Sequence, residues 1–356
     1  MVQEQQAASR PDFTIRINGS SLPVAARGEV NHVVVEESLD RASSFEIELS
    51  NWDIDLQQVK WSDSDLFQPG GVVELKMGYV EAVETVLVGE ITGLELSFPT
   101  ERARSLLTVR GYDRLHRFRR GRNTRSFVQV KDSDVAQKLA NDLGLTPDVE
   151  DSEEVHSYLL QINQTDIDFL LTRAHAVGYE LLVEDKTLRF RKVKNERGKT
   201  VSLDFKQGLL NFYAYLSTAD QVSQVTVRGW NPKNKEALVG KALAADVNGT
   251  MQGNKVGPRA VDGLFSVKDT ALTVIDLPVA TQNEADLLAK SLLNEVALHY
   301  IKGEGTARGN PAIKVGTVIE IGGVGQRFGG LYYVTQVSHV YDAEYLTHFH
   351  VRRNAT

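Results

Sequence analysis

The chain has 356 residues, 42% hydrophobic and 24% charged, with 40 Lys and Arg against 47 Asp and Glu for a net charge of −7. At ~100–200 residues per domain this makes two or three ordinary globular domains; no run reaches the ~18 apolar residues of a membrane helix, and the acidic balance argues against general attraction to nucleic acid or anionic membrane. The absence of cysteine excludes disulfides and thiolate metal sites and suits a reducing compartment.

Residues 1–8 are polar and Gln-rich, with neither a basic start nor an apolar core, so no secretory signal is read there. The next hundred residues read as antiparallel β. Phe13, Ile15 and Ile17 alternate with Thr14, Arg16 and Asn18, and Phe45, Ile47 and Leu49 alternate with Glu46 and Glu48. Each run therefore puts one face on a core and the other on water. Asn18-Gly19, Pro69-Gly70-Gly71 and a polar turn over 99–104 separate the runs. Strands this short and evenly spaced predict a small barrel or sandwich.

From about residue 125 the period changes. Asp132-Ser133-Asp134 opens a helix with Val135, Ala136, Leu139, Ala140 and Leu143 as its stripe and Gly144 as its stop. Thr165-Asp166-Ile167-Asp168 has the spacing of a capping box. The helix it opens turns Phe169, Leu170, Leu171 and Ala174 inward and ends at Gly178. Segments 179–183 and 187–191 then form a hairpin around Glu184-Asp185-Lys186.

Strand character returns near residue 200, with Val222, Val225 and Val227 around a bend at Gly229-Trp230. Residues 231–263, rich in Gly, Asn, Lys and Pro, read as a long excursion, and the insertion as a whole extends to about 280. Thr281-Gln282-Asn283-Glu284 is another capping box. Its helix, from about 282 to 299, buries Ala285, Leu288, Ala289, Leu292 and Val296.

The closing β block has a partner in the first half. Gly316-Thr317-Val318-Ile319-Glu320-Ile321, Gly329-Gly330-Leu331-Tyr332-Tyr333-Val334-Thr335 and Thr347-His348-Phe349-His350-Val351-Arg352 form one set. Gly71-Val72-Val73-Glu74-Leu75, Val88-Gly89-Glu90-Ile91-Thr92 and Leu107-Thr108-Val109-Arg110 form the other. Val73 to Ile91 is 18 positions and Val318 to Val334 is 16; Ile91 to Val109 is 18 and Val334 to Val351 is 17. Two similar units per chain let an oligomer present twice as many surfaces as it has subunits, which points toward assembly.

Catalytic and ligand motifs find little support. His339, His348 and His350 cluster near the end, but Tyr345, Thr347, Phe349 and Val351 take the core face, so the histidines are expected on a solvent or interface side, with no metal site. The glycine-rich run 322–330 leads into a strand and lacks a Gly-Lys-Ser/Thr ending, so it reads as a hairpin turn and not a phosphate loop. No cysteine nucleophile or Gly-x-Ser-x-Gly elbow is present, which leaves no catalytic residue and no cofactor to name. Scattered carboxylates keep a cell-wall glycan hydrolase open as an alternative.

Arg114, Arg117, Arg119, Arg120, Arg122 and Arg125 crowd one stretch together with His116 and Phe118. This is either a protein interface or channel lining, or a solvated linker answering the acidic run 150–154. Specific nucleic-acid binding is the weakest of its readings. Partner-interface candidates are Arg117, Arg119, Arg120 and Arg122 here, with Glu74 and Glu320 on the two β units.

The run Leu160-Gln161-Ile162-Asn163-Gln164-Thr165-Asp166-Ile167-Asp168-Phe169-Leu170, followed by Gly178-Tyr179 and Leu188-Arg189-Phe190, resembles the late control D family. So do Gly309-Asn310-Pro311, Gly316, the segment 328–334, His339 and Tyr345-Leu346-Thr347. The resemblance spans about residues 12 to 352. It implies a hub protein of contractile phage tails, similar to the N-terminal half of type VI secretion and extracellular injection system spikes. Such hubs are homotrimers in which each chain gives two related β-barrels, so three chains form a pseudo-sixfold ring joining a hexameric inner tube to a trimeric spike.

The expected fold is therefore α+β and mainly β. A first β-barrel tube-like domain is expected over 11–120, an α/β domain over 125–197, and a second barrel over 200–356 carrying the excursion (about 231–280) and the helix. The implied partners are the inner tube ring, a spike or OB-fold protein or a C-terminal spike extension, baseplate wedge proteins, and tape-measure or effector cargo. Because the sequence stops at Thr356 without a needle, the spike is expected as a separate chain or as a missing extension. Synthesis in the cytoplasm, incorporation into a phage-tail-like particle and no membrane insertion complete the expectation, with an effector-binding adaptor as a further alternative.

Overall fold

The computed structural model describes residues 10–356 other than 194, 196, 197, 199, 200 and 265–269. The reading of residues 1–8, and the part of the excursion at 265–269, lie outside the described residues. The chain is mainly β. Its first part holds β1 (Pro11–Ile17), β2 (Val30–Ser38), β3 (Arg41–Ser50), β4 (Val72–Tyr79), β5 (Ala82–Ser97) and β6 (Leu106–Tyr112). A middle segment follows with β7 (Asn123–Val130), α1 (Asp132–Asp142), β8 (Thr146–Val149), β9 (His156–Gln164), α2 (Asp166–Val177), β10 (Tyr179–Glu184) and β11 (Thr187–Lys192). The last part holds β12 (Val201–Phe205), β13 (Gly208–Leu216), β14 (Gln224–Asn231), β15 (Glu236–Leu243), β16 (Ala271–Val274), α3 (Gln282–Leu298), β17 (Ile301–Arg308), β18 (Val318–Gly322), β19 (Gly330–Tyr341) and β20 (Tyr345–Arg353).

One large sheet runs through both ends of the chain, and its order shows a repeat of six strands where sequence showed three. The first part lies in the order β1-β4-β5-β6-β3-β2 and the last in the order β12-β18-β19-β20-β17-β13. Counted along the chain, each copy reads first, fourth, fifth, sixth, third, second. The copies differ in the first strand, since β1 runs antiparallel to β4 while β12 runs parallel to β18. They also differ in closure. The second copy closes into a six-stranded barrel through β19–β20 and a short β12–β13 pairing. The first stays open between β1 and β2, and β2 bonds antiparallel to β19, from Val33 opposite Tyr341 to Ser38 opposite Gln336.

The alternation read from sequence produces these cores. Phe45, Ile47 and Leu49 are fully buried with Val73, Leu75 and Met77 across the sheet, while Glu46 and Glu48 stay partly exposed. Tyr345 of the last strand is buried in that same cluster, and Tyr341 meets Phe13 edge-on at 4.7 Å. The second barrel has its own cluster around Tyr332, Val334, Phe349 and Val351.

The middle segment packs α1 and α2 against its two small sheets around Leu139, Leu170, Leu188 and Phe190. Thr165 caps α2 through the Asp168 N–H at 3.2 Å, and Gly178 ends it at φ 70°. Thr281 and Glu284 form the reciprocal box that opens α3. The glycine-rich run 322–330 joins the antiparallel pair β18–β19, as the hairpin reading expects.

One expectation about this inserted segment needs correction. Gly229-Trp230 is no bend: β14 runs straight through it, with Gly229 opposite Leu238 and Trp230 opposite Ala237. Glycine is needed there for packing, since a Cβ would lie 2.3 Å from a Val279 methyl. Part of the excursion is strand: β15 pairs with β14, and both pack on α3 through Val225, Val227, Leu238 and Leu288.

Candidate assembly surfaces

The pairing registers place Glu74 and Glu320 at one position of the repeat. Glu74 stands opposite Val88 and Glu320 opposite Leu331, each on the fourth strand of its copy. The sequence alignment of Val73 with Val318 is off by one, because Val72 and Val318 hold the matching register. Both glutamates are partly exposed. Glu74 meets Arg16 at 3.6 Å, Lys76 at 3.2 Å and Thr85 at 3.2 Å, and Glu320 accepts from Ser202 at 3.0 Å.

The basic stretch divides. Asp113 caps a short 3-10 turn over Arg114–Arg119 by accepting from the Leu115 N–H, and this turn sinks half of the stretch into the protein. Arg114 and Arg117 both ion-pair with Glu90, Arg114 also pairs with Asp185, and His116 lies 2.9 Å from Glu90. Burial alone would raise the Glu90 carboxyl, but hydrogen bonds from Arg117 and His116 outweigh it and hold the group below its ordinary range. Arg125 ion-pairs with Asp166, and Arg122, though exposed, reaches the Asn163 carbonyl at 2.9 Å. Arg119 and Arg120 point to solvent.

The acidic run is answered elsewhere than expected. Asp151 pairs with Lys131 at 2.7 Å, Glu153 with Lys192 at 3.3 Å, and Glu154 accepts from Thr281 at 2.9 Å. Sequence reasoning missed Glu90 as the centre of the basic cluster, although a lone carboxylate within the apolar run Val88-Gly89-Glu90-Ile91 was the available signal.

The histidines also divide. His348 and His350 are exposed as expected, but His339 is fully buried. It stands opposite Val35 in the β2–β19 seam, where a strand of the other copy covers it. Its Nδ1 lies 2.9 Å from the Tyr345 hydroxyl and 3.1 Å from the Thr347 hydroxyl, and burial pushes the ring down to about 3, so it is neutral. Among the described residues, no three His, Asp or Glu side chains are grouped to hold a metal ion.

Where the copies meet the middle segment, a cavity of about 450 Å³ holds Glu37 and Asp113. Asp113 accepts from the Ser43 and Leu115 N–H groups, both at 2.9 Å, yet burial pushes it up to about 6. Among the described residues Glu37 accepts only from the Val315 N–H, at 3.3 Å, and burial pushes it up to about 7.

The fold is that of phage tail and type VI secretion proteins. The 43 kDa tail protein of prophage MuSo2 from Shewanella oneidensis is similar at a TM-score of 0.72 and 13% identity, covering 96% of this chain and 98% of that one. A tail protein from Neisseria meningitidis MC58 is similar at 0.69 and 13% identity, covering 97% of each chain. An E. coli component of the type VI secretion system is similar at 0.60 and 13% identity, covering 96% of this chain and 77% of that one. No curated protein sequence matches the chain. The family model described as the Alg8 N-terminal domain matches residues 7–342, and the chain belongs to that family. Among the described residues no helix is long and apolar enough to cross a membrane.

Proposed function

We propose that the chain is a structural, non-enzymatic baseplate hub of a contractile tail or injection device, of the late control D kind. Three copies form a pseudo-sixfold ring between a hexameric inner tube and a threefold spike. The observation that carries this reading is the six-strand order repeated twice in one chain. Two such copies in each of three chains supply the six equivalent positions a hexameric tube requires. The shared fold of phage tail proteins and a type VI secretion component supports the same setting.

In this reading the chain divides into three domains over 11–120, 125–197 and 200–356, with the middle one peripheral to the ring. Glu74 and Glu320, matched in register, face the tube ring as an equivalent pair, and Arg119 and Arg120 face a neighbouring baseplate protein or cargo. The chain is made in the cytoplasm and carried in the particle. The glycan hydrolase alternative gains nothing from the carboxylates that share a cavity, since backbone N–H groups hold Asp113 as a structural clasp.

The test is the copy number of the chain at the tube end of purified particles, by cryo-electron microscopy, with the native mass of the purified protein beside it. Three copies are expected. A single copy per particle would sink the hub.

A further inference from the structure

Among the described residues, β5 and β13 of the large sheet each leave one edge bare over part of their length. β5 pairs with β4 up to Glu90 and with β6 from Glu90 to Ser97, so from Gly93 onward its β4-side edge has no strand partner among the described residues. β13 pairs with β17 along Leu209–Leu216 but, among the described residues, meets β12 only at Gly208 and Leu209. Bare edges of this length invite pairing with another chain.

These are the counterparts of the two strands already joined within the chain. β5 is the fifth strand of its copy, as β19 is, and β13 is the second, as β2 is. Both fifth strands shift register at the same place, between Ile91 and Gly93 in one and between Val334 and Gln336 in the other. Following the pairings from Ile91 and Val334 makes Gly111 equivalent to Val351, Phe45 to Gly303 and Val35 to Ala214. The seam pair His339–Val35 then corresponds to Leu96–Ala214, and Ser338–Glu36 corresponds to Glu95–Tyr215.

Burial supports the correspondence. In the seam, Val337 is 2% exposed and His339 0%, whereas their counterparts Leu94 and Leu96 are 39% and 51% exposed. Leu94 and Leu96 stand opposite the buried Val109 and Leu107, so they continue the core face of the sheet without a strand to cover them. On β13 the matching face offers Phe212, Ala214 and Leu216, which are partly buried against the second core.

We propose that β13 of one protomer pairs antiparallel with residues 93–97 of β5 in the next, repeating between chains the β2–β19 seam within each. Leu94 and Leu96 then pack beside Leu216 and Ala214, while Tyr213 and Tyr215 lie on the opposite face beside Ser97 and Glu95. The contact is head-to-tail, the kind that closes into a ring when its rotation allows. This joint rests on the trimeric hub reading above.

The chain has no cysteine to interfere with a crosslink. Adjacent antiparallel pairs alternate between Cα separations of about 5.5 and 4.5 Å, so at least one of Leu96→Cys/Ala214→Cys and Glu95→Cys/Tyr215→Cys falls within disulfide reach. The full-length double variants are oxidised mildly and run under denaturing conditions, and the native mass of the unmodified chain is measured alongside. The expected result is a covalent ladder that stops at three chains for at least one pair. The single variants and the slipped pair Leu96→Cys/Phe212→Cys give none. A native trimer in which neither pair crosslinks overturns the strand joint and leaves the hub standing. A chain that stays monomeric alone and within the particle overturns both.

Discussion

Glu90 and Tyr333 occupy the same position in the two copies of the repeat, and both are tied to the one middle segment, Glu90 through Arg114 and Arg117 and Tyr333 directly. Glu90 stands opposite Val72 and Tyr333 opposite Val318. Glu90 holds Arg114 and Arg117, and Arg114 goes on to Asp185. The Tyr333 hydroxyl donates to Glu180, which Arg191 also contacts at 2.6 Å.

This double grip predicts that Glu90→Ala destabilises the fold by up to ~3–5 kcal/mol, because Arg114, only 4% exposed, loses its deeper partner and is left with the half-exposed Asp185. Tyr333→Phe removes the hydrogen bond to the charged Glu180 and costs ~1.5–3 kcal/mol. Urea unfolding midpoints measure both. A Glu90→Ala midpoint indistinguishable from the parent would show that the basic turn is not held through Glu90.

His156 ties the middle segment to the inserted helix, with Nδ1 2.6 Å from Glu284 and Nε2 3.0 Å from Asp132. Burial alone would keep the ring neutral, but the two carboxylates outweigh it and push it up to about 9. The folded state therefore holds this proton more tightly than the unfolded chain. Its contribution, on the order of 3 kcal/mol, is complete below the ordinary value near 6.5 and is lost as pH rises through about 9. Thermal melts from pH 6 to 10 should show the fall, and His156→Gln should flatten it. An unchanged slope in that variant would assign the pH dependence elsewhere.

Glu37 also makes stability fall as pH rises, but as a cost of burying charge and not as the loss of an ion pair. Burial pushes its carboxyl from 4.5 up to about 7, so the folded state favours the neutral acid. Stability then declines as pH rises from about 4.5 to 7, by roughly 3 kcal/mol, and the cost persists above that range. Glu37→Gln keeps the shape without the charge. It should raise the melting temperature at pH 8 and leave it nearly unchanged at pH 4. Equal effects at both pH values would contradict a charge-based cost.

Arg119 and Arg120 are exposed, unlike the inner half of the basic stretch. The charge reversals Arg119→Glu and Arg120→Glu should keep folding stability within about 0.5 kcal/mol. Incorporation of the chain into particles should fall, as read by its copy number per particle. Full incorporation at normal stability would exclude these side chains as partner contacts.

Much of the fold was legible because its signals are local. The caps at Thr165 and Thr281, the stop at Gly178 and the alternation from Phe45 to Leu49 each lie within a few residues. The repeat was only half legible. Its last three strands are contiguous in both copies, but in the second copy the insertion carrying β14, β15, β16 and α3 separates β13 from β17. The equivalent core positions are also Phe45 in one copy and Gly303 in the other, which no pattern of residue types would match. The basic stretch was misjudged for a related reason. Glu90 lies on a strand formed well before it, and only the fold brings the two together.

The β2–β19 seam also sets an order on folding. β2 occupies residues 30–38 and its partner 330–341, so this contact is among the longest-range in the chain and slow to form by the loop-closure cost it carries. During synthesis the sheet of the first copy waits with that edge unpaired until residues 330–341 emerge, a template for wrong partners that this distant strand of the same polypeptide removes.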